Sequence, residues 1–241
     1  MAEDTRGGRS GSAAGSPDGP GPPPAADRHW VEWHRPYDDP SSALSRRLAA
    51  VQSRIVGALD RCPPGPITVI SMCAGQGRDL IGALRSHPRA ADVAARLVEA
   101  DPHNAATAGD SARAAHLVGV TAVLGDAGVA SAYAGMVPAD LALVCGVFGN
   151  ISADDIEATI RHLPELLADG GTVVWTRHLR PPDLTPQVRR WFAEAGFDEI
   201  GFDRPEGDLF SVGSHRLTVP PRPFDPGAHL FTFTGDGALP A

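Results

Sequence analysis

The sequence predicts an α/β protein: a mostly parallel seven-stranded sheet with helices on both faces and a last strand running antiparallel. Three observations point there. Short apolar runs rich in β-branched residues alternate with helical patterns along most of the chain. Nearly all of those runs close on Gly, Asp, Glu or Asn, which places polar loops along the carboxyl edge of a sheet. The stretch ITVISMCAGQGRDL, residues 67–80, joins a buried strand, a turn of small residues and the start of a helix.

Taken in order, residues 1–27 are mostly Gly, Pro, Ser and Ala with scattered charges. They bury too little apolar surface to offset chain entropy, so they are expected to be disordered. Residues 28–62 read as an aromatic segment and a capping helix. His29, Trp30, Trp33, His34 and Tyr37 fall within nine residues of a chain that is only 6% aromatic. Ser41 or Ser42 caps the helix, and Leu44, Leu48, Val51, Ile55 and Leu59 give it one apolar face. The aromatic segment reads either as a hydrophobic anchor or as a lid over a ligand, with His34 and Tyr37 as its candidate contacts.

Residues 63–241 hold the sheet. After the opening strand, runs at 95–100, 118–124, 140–144, 172–176 and 197–202 read as strands. Helical patterns begin near Arg78, Asn104 and Val129. Ser152 with Asp155 caps a further helix whose face is Ile156, Ile160, Leu163 and Leu167, with Gly170 and Gly171 as its expected stop. Thr185-Pro186 opens the next, and Gly196 ends it. Residues 203–227 read as a loop covering the cleft, with His215 as a candidate substrate or lid residue, and 229–233 as the last strand.

The totals narrow the function. Net charge is −8, all basic residues are Arg, and no consecutive basic block occurs, which argues against a nucleic-acid substrate. The absence of Lys beside abundant Ala, Gly, Pro and Arg matches a high-GC bacterial genome. No apolar run approaches the roughly 20 residues of a membrane span. The N-terminus lacks the apolar region of a signal peptide, so a cytoplasmic protein is expected. Cys62, Cys73 and Cys145 are too few and too widely spaced for a disulfide framework or a zinc site, and read as reduced, buried thiols.

The loops carry the chemistry. Glu99 lies twenty-two residues after Gly77, at the end of the second strand, where a carboxylate accepts both hydroxyls of a ribose. Asp126 ends the third strand and can accept from an adenine amino group, with the Ala127 N–H facing a ring nitrogen. The dinucleotide pattern G-x-G-x-x-G fails, because its third Gly falls at Leu80. What stands instead is G-x-G-x-G with Cys first: Cys73, Gly75, Gly77.

Those residues resemble the class I S-adenosylmethionine-dependent methyltransferases, of the small-molecule bacterial type, from about Trp30 to the last strand. The resemblance implies a Rossmann-like fold, S-adenosylmethionine (SAM) as cofactor and methyl transfer to a small molecule. It places Cys73, Ala74, Gly75 and Gly77 on the methionine part, Glu99 and Ala100 on the ribose, and Asp126 and Ala127 on the adenine. Gly146 and Val147 then flank the sulfonium and open the acceptor side. Two positions depart: Ser71 stands where the family has an acid, and Cys73 where it has Gly. A cysteine fits that turn with a negative φ. Losing the acid removes one contact to the methionine amino group, which another residue or a water must supply.

His178, at the end of the fifth strand, is the candidate general base. No metal is expected: the edges after the fourth and fifth strands read Cys-Gly-Val-Phe-Gly-Asn and Arg-His-Leu-Arg, without the carboxylates of metal-dependent O-methyltransferases. The Asn-Pro-Pro-Tyr signature of nucleic-acid amino-methylating enzymes is also absent. The rival readings are a nicotinamide-dependent oxidoreductase and a non-catalytic SAM-binding module.

Overall fold

The computed structural model describes residue 39 and residues 42–234. The tail 1–27 and the aromatic residues of segment 28–38, His34 and Tyr37 among them, lie outside the described residues. Seven strands form one sheet: β1 Ile67–Ser71, β2 Val93–Glu99, β3 Val120–Leu124, β4 Ala139–Val144, β5 Leu167–His178, β6 Phe197–Asp203 and β7 Phe210–Leu217. Among the described residues five α-helices surround it: α1 Ala43–Arg61, α2 Arg78–Leu84, α3 Pro102–Ala114, α4 Ala153–Leu166 and α5 Thr185–Glu194, while the helix expected from Val129 is a short 3-10 turn, Ala130–Tyr133. The strand order is β3-β2-β1-β4-β5-β7-β6. β1 to β5 pair in parallel, and β7 runs antiparallel between β5 and β6.

The period of two along each strand sorts side chains into two cores. Val69, Leu97, Leu141, Leu143 and Val174 pack under α1, α2 and α3. Ile70, Val98, Ala142, Val144, Val173 and Trp175 pack under α4 and α5. Both faces are covered, which explains why the parallel strands read as nearly continuous apolar runs. Ser42 caps α1, accepting from the Ser45 N–H at 3.0 Å, and Val51, Ile55, Ala58 and Leu59 form the buried stripe. Arg54 on the same helix grips Asp203 of β6 through two bonds of 2.6 and 2.7 Å. α1 therefore lies on the sheet face and ties its far edge.

The structure corrects the C-terminal third. Residues 203–227 are not a cleft-covering loop, because β7 occupies 210–217 and forms ladders on both sides. Gly213 disguised this strand. A Cβ there would sit 2.3 Å from the Trp175 indole, so the residue that weakens the strand pattern is the one that lets Trp175 lie flat on β7. Residues 229–233 are not a strand either and make a single bridge, Val129 to His229. Of their apolar residues, Leu230 and Phe231 are buried against α4 and the loop after β3, and Phe233 is exposed. The Leu230 carbonyl accepts from Thr159 Oγ1 at 2.9 Å. Helix α4 also ends at Leu166, just after Pro164, and not at Gly170-Gly171. Gly170 instead takes φ +70° where the β4–β5 register shifts.

His215 moves accordingly, from an expected lid to the interior of β7. It is 1% exposed and stacks on Phe192 with ring centroids 4.2 Å apart. Its Nδ1 accepts from the Trp175 Nε1–H at 3.1 Å, while Nε2 makes no hydrogen bond. It pairs across the ladder with Val173, in the middle of β5 and short of the carboxyl edge.

Burial, opposed by Glu199, pushes the His215 imidazole down to about 4. The folded state thus holds it neutral while the unfolded chain protonates near pH 6.5. Stability from this residue is full above pH 6.5 and is lost as pH falls toward 4, to a total of about 3 kcal/mol. Urea unfolding at pH 7 and pH 4.5 is expected to show this loss in the wild type. A His215→Gln variant, which keeps an acceptor for Trp175, should lose less over the same interval; equal losses would refute the buried-neutral assignment.

Candidate functional site

The parallel strands β1 to β4 deliver their loops to one edge, and the residues expected to bind a ligand gather there. β1 leads through buried Met72 into Cys73, which takes φ +48°, followed by Gly75 at φ +55° and Gly77 at φ +69°. Three left-handed residues within five make a tight loop that turns its backbone outward. The Gly77 N–H donates to the Ala74 carbonyl at 2.9 Å, closing the loop, and Gly77 caps α2.

Glu99 holds this loop from β2. Its Oε2 accepts from the Gly75 N–H at 2.6 Å, and its Oε1 accepts from the Asp101 N–H at 2.9 Å. The carboxylate is 9% exposed. Each oxygen keeps a second lone-pair direction, so a diol can still be received. Ala100, beyond it, is exposed. Asp126 is also exposed, and its Oδ1 turns back onto the Gly128 N–H at 2.7 Å. Ala127 is buried beside it, and its carbonyl takes the Tyr133 hydroxyl at 2.8 Å.

Electrostatics show these groups converging. Burial first, then the Glu99 and Asp126 carboxylates, push the Cys73 thiol up to about 12. A thiol so placed stays protonated and unreactive at neutral pH. The family's Gly position therefore holds a cysteine with a positive φ, contrary to the negative φ expected from the sequence. The three cysteines are free and half-buried.

At the loop expected to face the acceptor, Gly146 follows β4 with φ +76°. Its N–H donates to Thr176 Oγ1 at 2.8 Å, and its carbonyl accepts from Asn150 Nδ2 at 2.7 Å. Among the described residues, none comes within 4 Å of a Cβ placed at Gly75 or at Gly146. The Val147 side chain points the other way, fully buried in the core, and only its backbone belongs to this loop. Thr234 reaches the same loop from the C-terminal segment, donating through its N–H and hydroxyl to the Asn150 carbonyl at 3.1 and 2.8 Å.

His178 closes β5 beside Gly149, where an added Cβ would lie 3.0 Å from its Cδ2. It is half-buried, and its Nδ1 is sealed from solvent without a partner. Burial, then Arg177 and Arg180, hold its pKa below the usual imidazole value. A hollow of about 480 Å³ begins at the next residue, Leu179, and is walled by residues 204–209.

Asp79 is a site residue the sequence reading missed. It sits in the first turn of α2, and its carboxyl is raised by burial, opposed by Arg47 of α1 and by the nearby Cys145 thiol, which itself donates to the Val174 carbonyl at 3.8 Å. It thus links α1, the loop after β1 and the end of β4. Its position two residues after Gly77 was the only signal. Thr176 and Asn150, which fix Gly146, carried none, since their partner is backbone. Among the described residues no three His, Cys, Asp or Glu side chains gather as a metal-ligand group.

No family model matches this chain, and no curated protein matches it. Solved structures do resemble it. An O-methyltransferase family protein from Burkholderia thailandensis aligns with a TM-score of 0.62 at 17% identity, over 80% of this chain and 61% of that one. This chain therefore spans about three fifths of the Burkholderia protein's length. The magnesium protoporphyrin IX methyltransferase of Synechocystis, with bound SAH, aligns at 0.60 and 13% identity, over 79% of this chain and 94% of that one. A TehB-like SAM-dependent methyltransferase from Corynebacterium glutamicum aligns at 0.54 and 16% identity, over 80% and 100%. The chain has the class I methyltransferase fold.

A left-handed φ is costly for any residue but Gly. Cys73→Gly is expected to be neutral or stabilising by up to about 1 kcal/mol, relief of strain being offset by the freer unfolded chain. Cys73→Val, β-branched at φ +48°, is expected to cost about 2 kcal/mol in urea unfolding. A Gly variant less stable than wild type by that amount would contradict the left-handed assignment.

Proposed function

We propose that this protein is a SAM-dependent methyltransferase acting on a small-molecule acceptor. The observation that carries the reading is the meeting of the Cys73–Gly77 loop with Glu99 and Asp126 at the carboxyl edge, in a fold of the methyltransferase class. The room that the described residues leave over Gly75 and Gly146 fits a cofactor laid across both loops. The solved structures that share this fold include enzymes crystallised with SAM and SAH, which supports the same cofactor here. They lend nothing to the nicotinamide alternative, and Leu80 already breaks that motif.

In this reading Cys73, Ala74, Gly75 and Gly77 hold the methionine part through backbone groups. Glu99, with Ala100 beside it, receives the ribose hydroxyls, Asp126 and Ala127 receive the adenine, and Gly146 with the Val147 backbone borders the reacting centre. When bound, SAM supplies a methyl group on a sulfonium, released as the acceptor atom bonds to its carbon and the carbon–sulfur electron pair returns to sulfur. The chain's own work is positioning and exclusion of water. His178, which a backbone hydrogen bond ties to Gly149, is the group that takes the acceptor's proton if the nucleophile arrives protonated. The acceptor is small, and neither nucleic acid nor metal takes part. His34 and Tyr37 contact the ligand from the N-terminal segment, and the protein works in the bacterial cytoplasm.

Titration calorimetry with SAM and S-adenosylhomocysteine (SAH) tests the reading. Wild type is expected to bind both, and Glu99→Gln to bind at least about tenfold more weakly, since one charge-assisted pair is worth about 1.5–3 kcal/mol. Unchanged affinity in the variant would remove the ribose assignment, and no binding by wild type would remove the function. His178→Ala should keep cofactor affinity.

A further inference from the structure

The end of β5 carries two arginines, Arg177 and Arg180, that form no ion pair with a described residue, Asp183 acting on Arg177 only from a distance, and nothing in the chemistry so far uses them. Arg177 is 7% exposed. Its guanidinium donates to the Phe148 and Pro182 carbonyls, both neutral, and its Nε has no partner. Arg180, half-buried two residues past the strand, makes no ion pair with any described residue. Burying a guanidinium without a counter-charge is costly, so such groups are normally paired.

The carboxylates nearby in sequence and fold are committed. Asp183 accepts from the Thr185 N–H and hydroxyl at 2.9 and 2.6 Å and pairs with Arg204 at 3.4 Å. Asp208 is held by Arg46. Glu206 is exposed on the turn between β6 and β7 and does not act on His178. The loop after β4, residues 145–150, contributes no charge. Around His178 the two arginines outweigh Asp183, the weakest influence on it. A protein with net charge −8 thus places local positive charge at the end of β5, on either side of Leu179, which walls a hollow whose own charged residues are Arg204, Glu206 and Asp208.

We infer that the methyl acceptor carries an oxyanion, a carboxylate or a phosphate group, held by Arg180 and by the buried charge of Arg177 at the end of β5. This rests on the proposed methyl-transfer reading and names its substrate class. An anion there supplies the counter-charge that Arg180 lacks and adds to the distant one that Asp183 gives Arg177. It also steers a small acid toward a cleft in an otherwise acidic protein.

His178 is the reporter. In the full chain saturated with SAH, its ring signal, assigned by its loss in His178→Asn, is titrated by NMR in chloride. The titration is repeated with acetate or inorganic phosphate at matched ionic strength. One of the two anions is expected to raise the His178 midpoint by about half a pH unit or more above chloride, because it offsets the arginine charge. Arg180→Gln is expected to raise the midpoint in chloride and to abolish the anion response. Response to acetate alone assigns a carboxylate, and to phosphate alone a phosphate ester. No response to either, or the same response in Arg180→Gln, overturns the inference. Calorimetry on the same samples separates the two readings: absent SAH binding with the anion response intact fails the methyl-transfer reading alone.

Discussion

The carboxylate of Glu99 accepts from two backbone N–H groups, Gly75 at 2.6 Å and Asp101 at 2.9 Å. One side chain at the tip of β2 thereby fixes the loop after β1 and the entry to α3. Both N–H groups belong to chain that cannot pair within a helix or strand, so without Glu99 they would need water. Asp101 then caps α3 through the Asn104 N–H at 2.8 Å. The candidate cofactor site is in this sense a continuation of strand ends, and its shape follows from where the sheet stops.

The sheet that sets those ends is held by two cores that share no residue. The α1 side joins strands β1, β2 and β4 to the helix that precedes them in sequence. The other side is built around Trp175, which touches Phe148, Phe192 and Phe202 and rests on Gly213. Trp175 lies two residues before Arg177 and three before His178. The packing that seats this indole therefore also sets the acceptor end of the cleft, and the long reach of β5 makes that possible.

Charge divides the cleft. Acids, Glu99 and Asp126, surround the loop after β1, and their field together with burial keeps the Cys73 thiol protonated. Two arginines stand at the end of β5, and burial first, then their field, holds the His178 pKa below the usual imidazole value. A cationic cofactor over the first half and an anionic acceptor over the second would each meet opposite charge. The proposed function and the proposed substrate class thus rest on one electrostatic pattern, read at its two ends.

The sequence by itself determined the five parallel strands, the helices between them except the 3-10 turn at Ala130–Tyr133, and the acid-tipped edge. Each of those features is local: β-branched runs, capping residues and a Gly turn act within a few positions. Glu99 and Asp126 were legible for the same reason, since a strand end fixes where its next residue lies. The tertiary structure decided the rest. Gly213 and His215 made β7 look like loop, because a glycine and a polar ring suit a central strand only when Trp175 and Phe192 cover them. Leu230 and Phe231 looked like a strand because burial alone gives an apolar run, whatever the hydrogen bonding. The positive φ of Cys73, the Asp79 link to Cys145, and the unpaired Arg177 each depend on groups far apart in the chain. No local pattern carries such a contact; only the packed sheet brings the partners together.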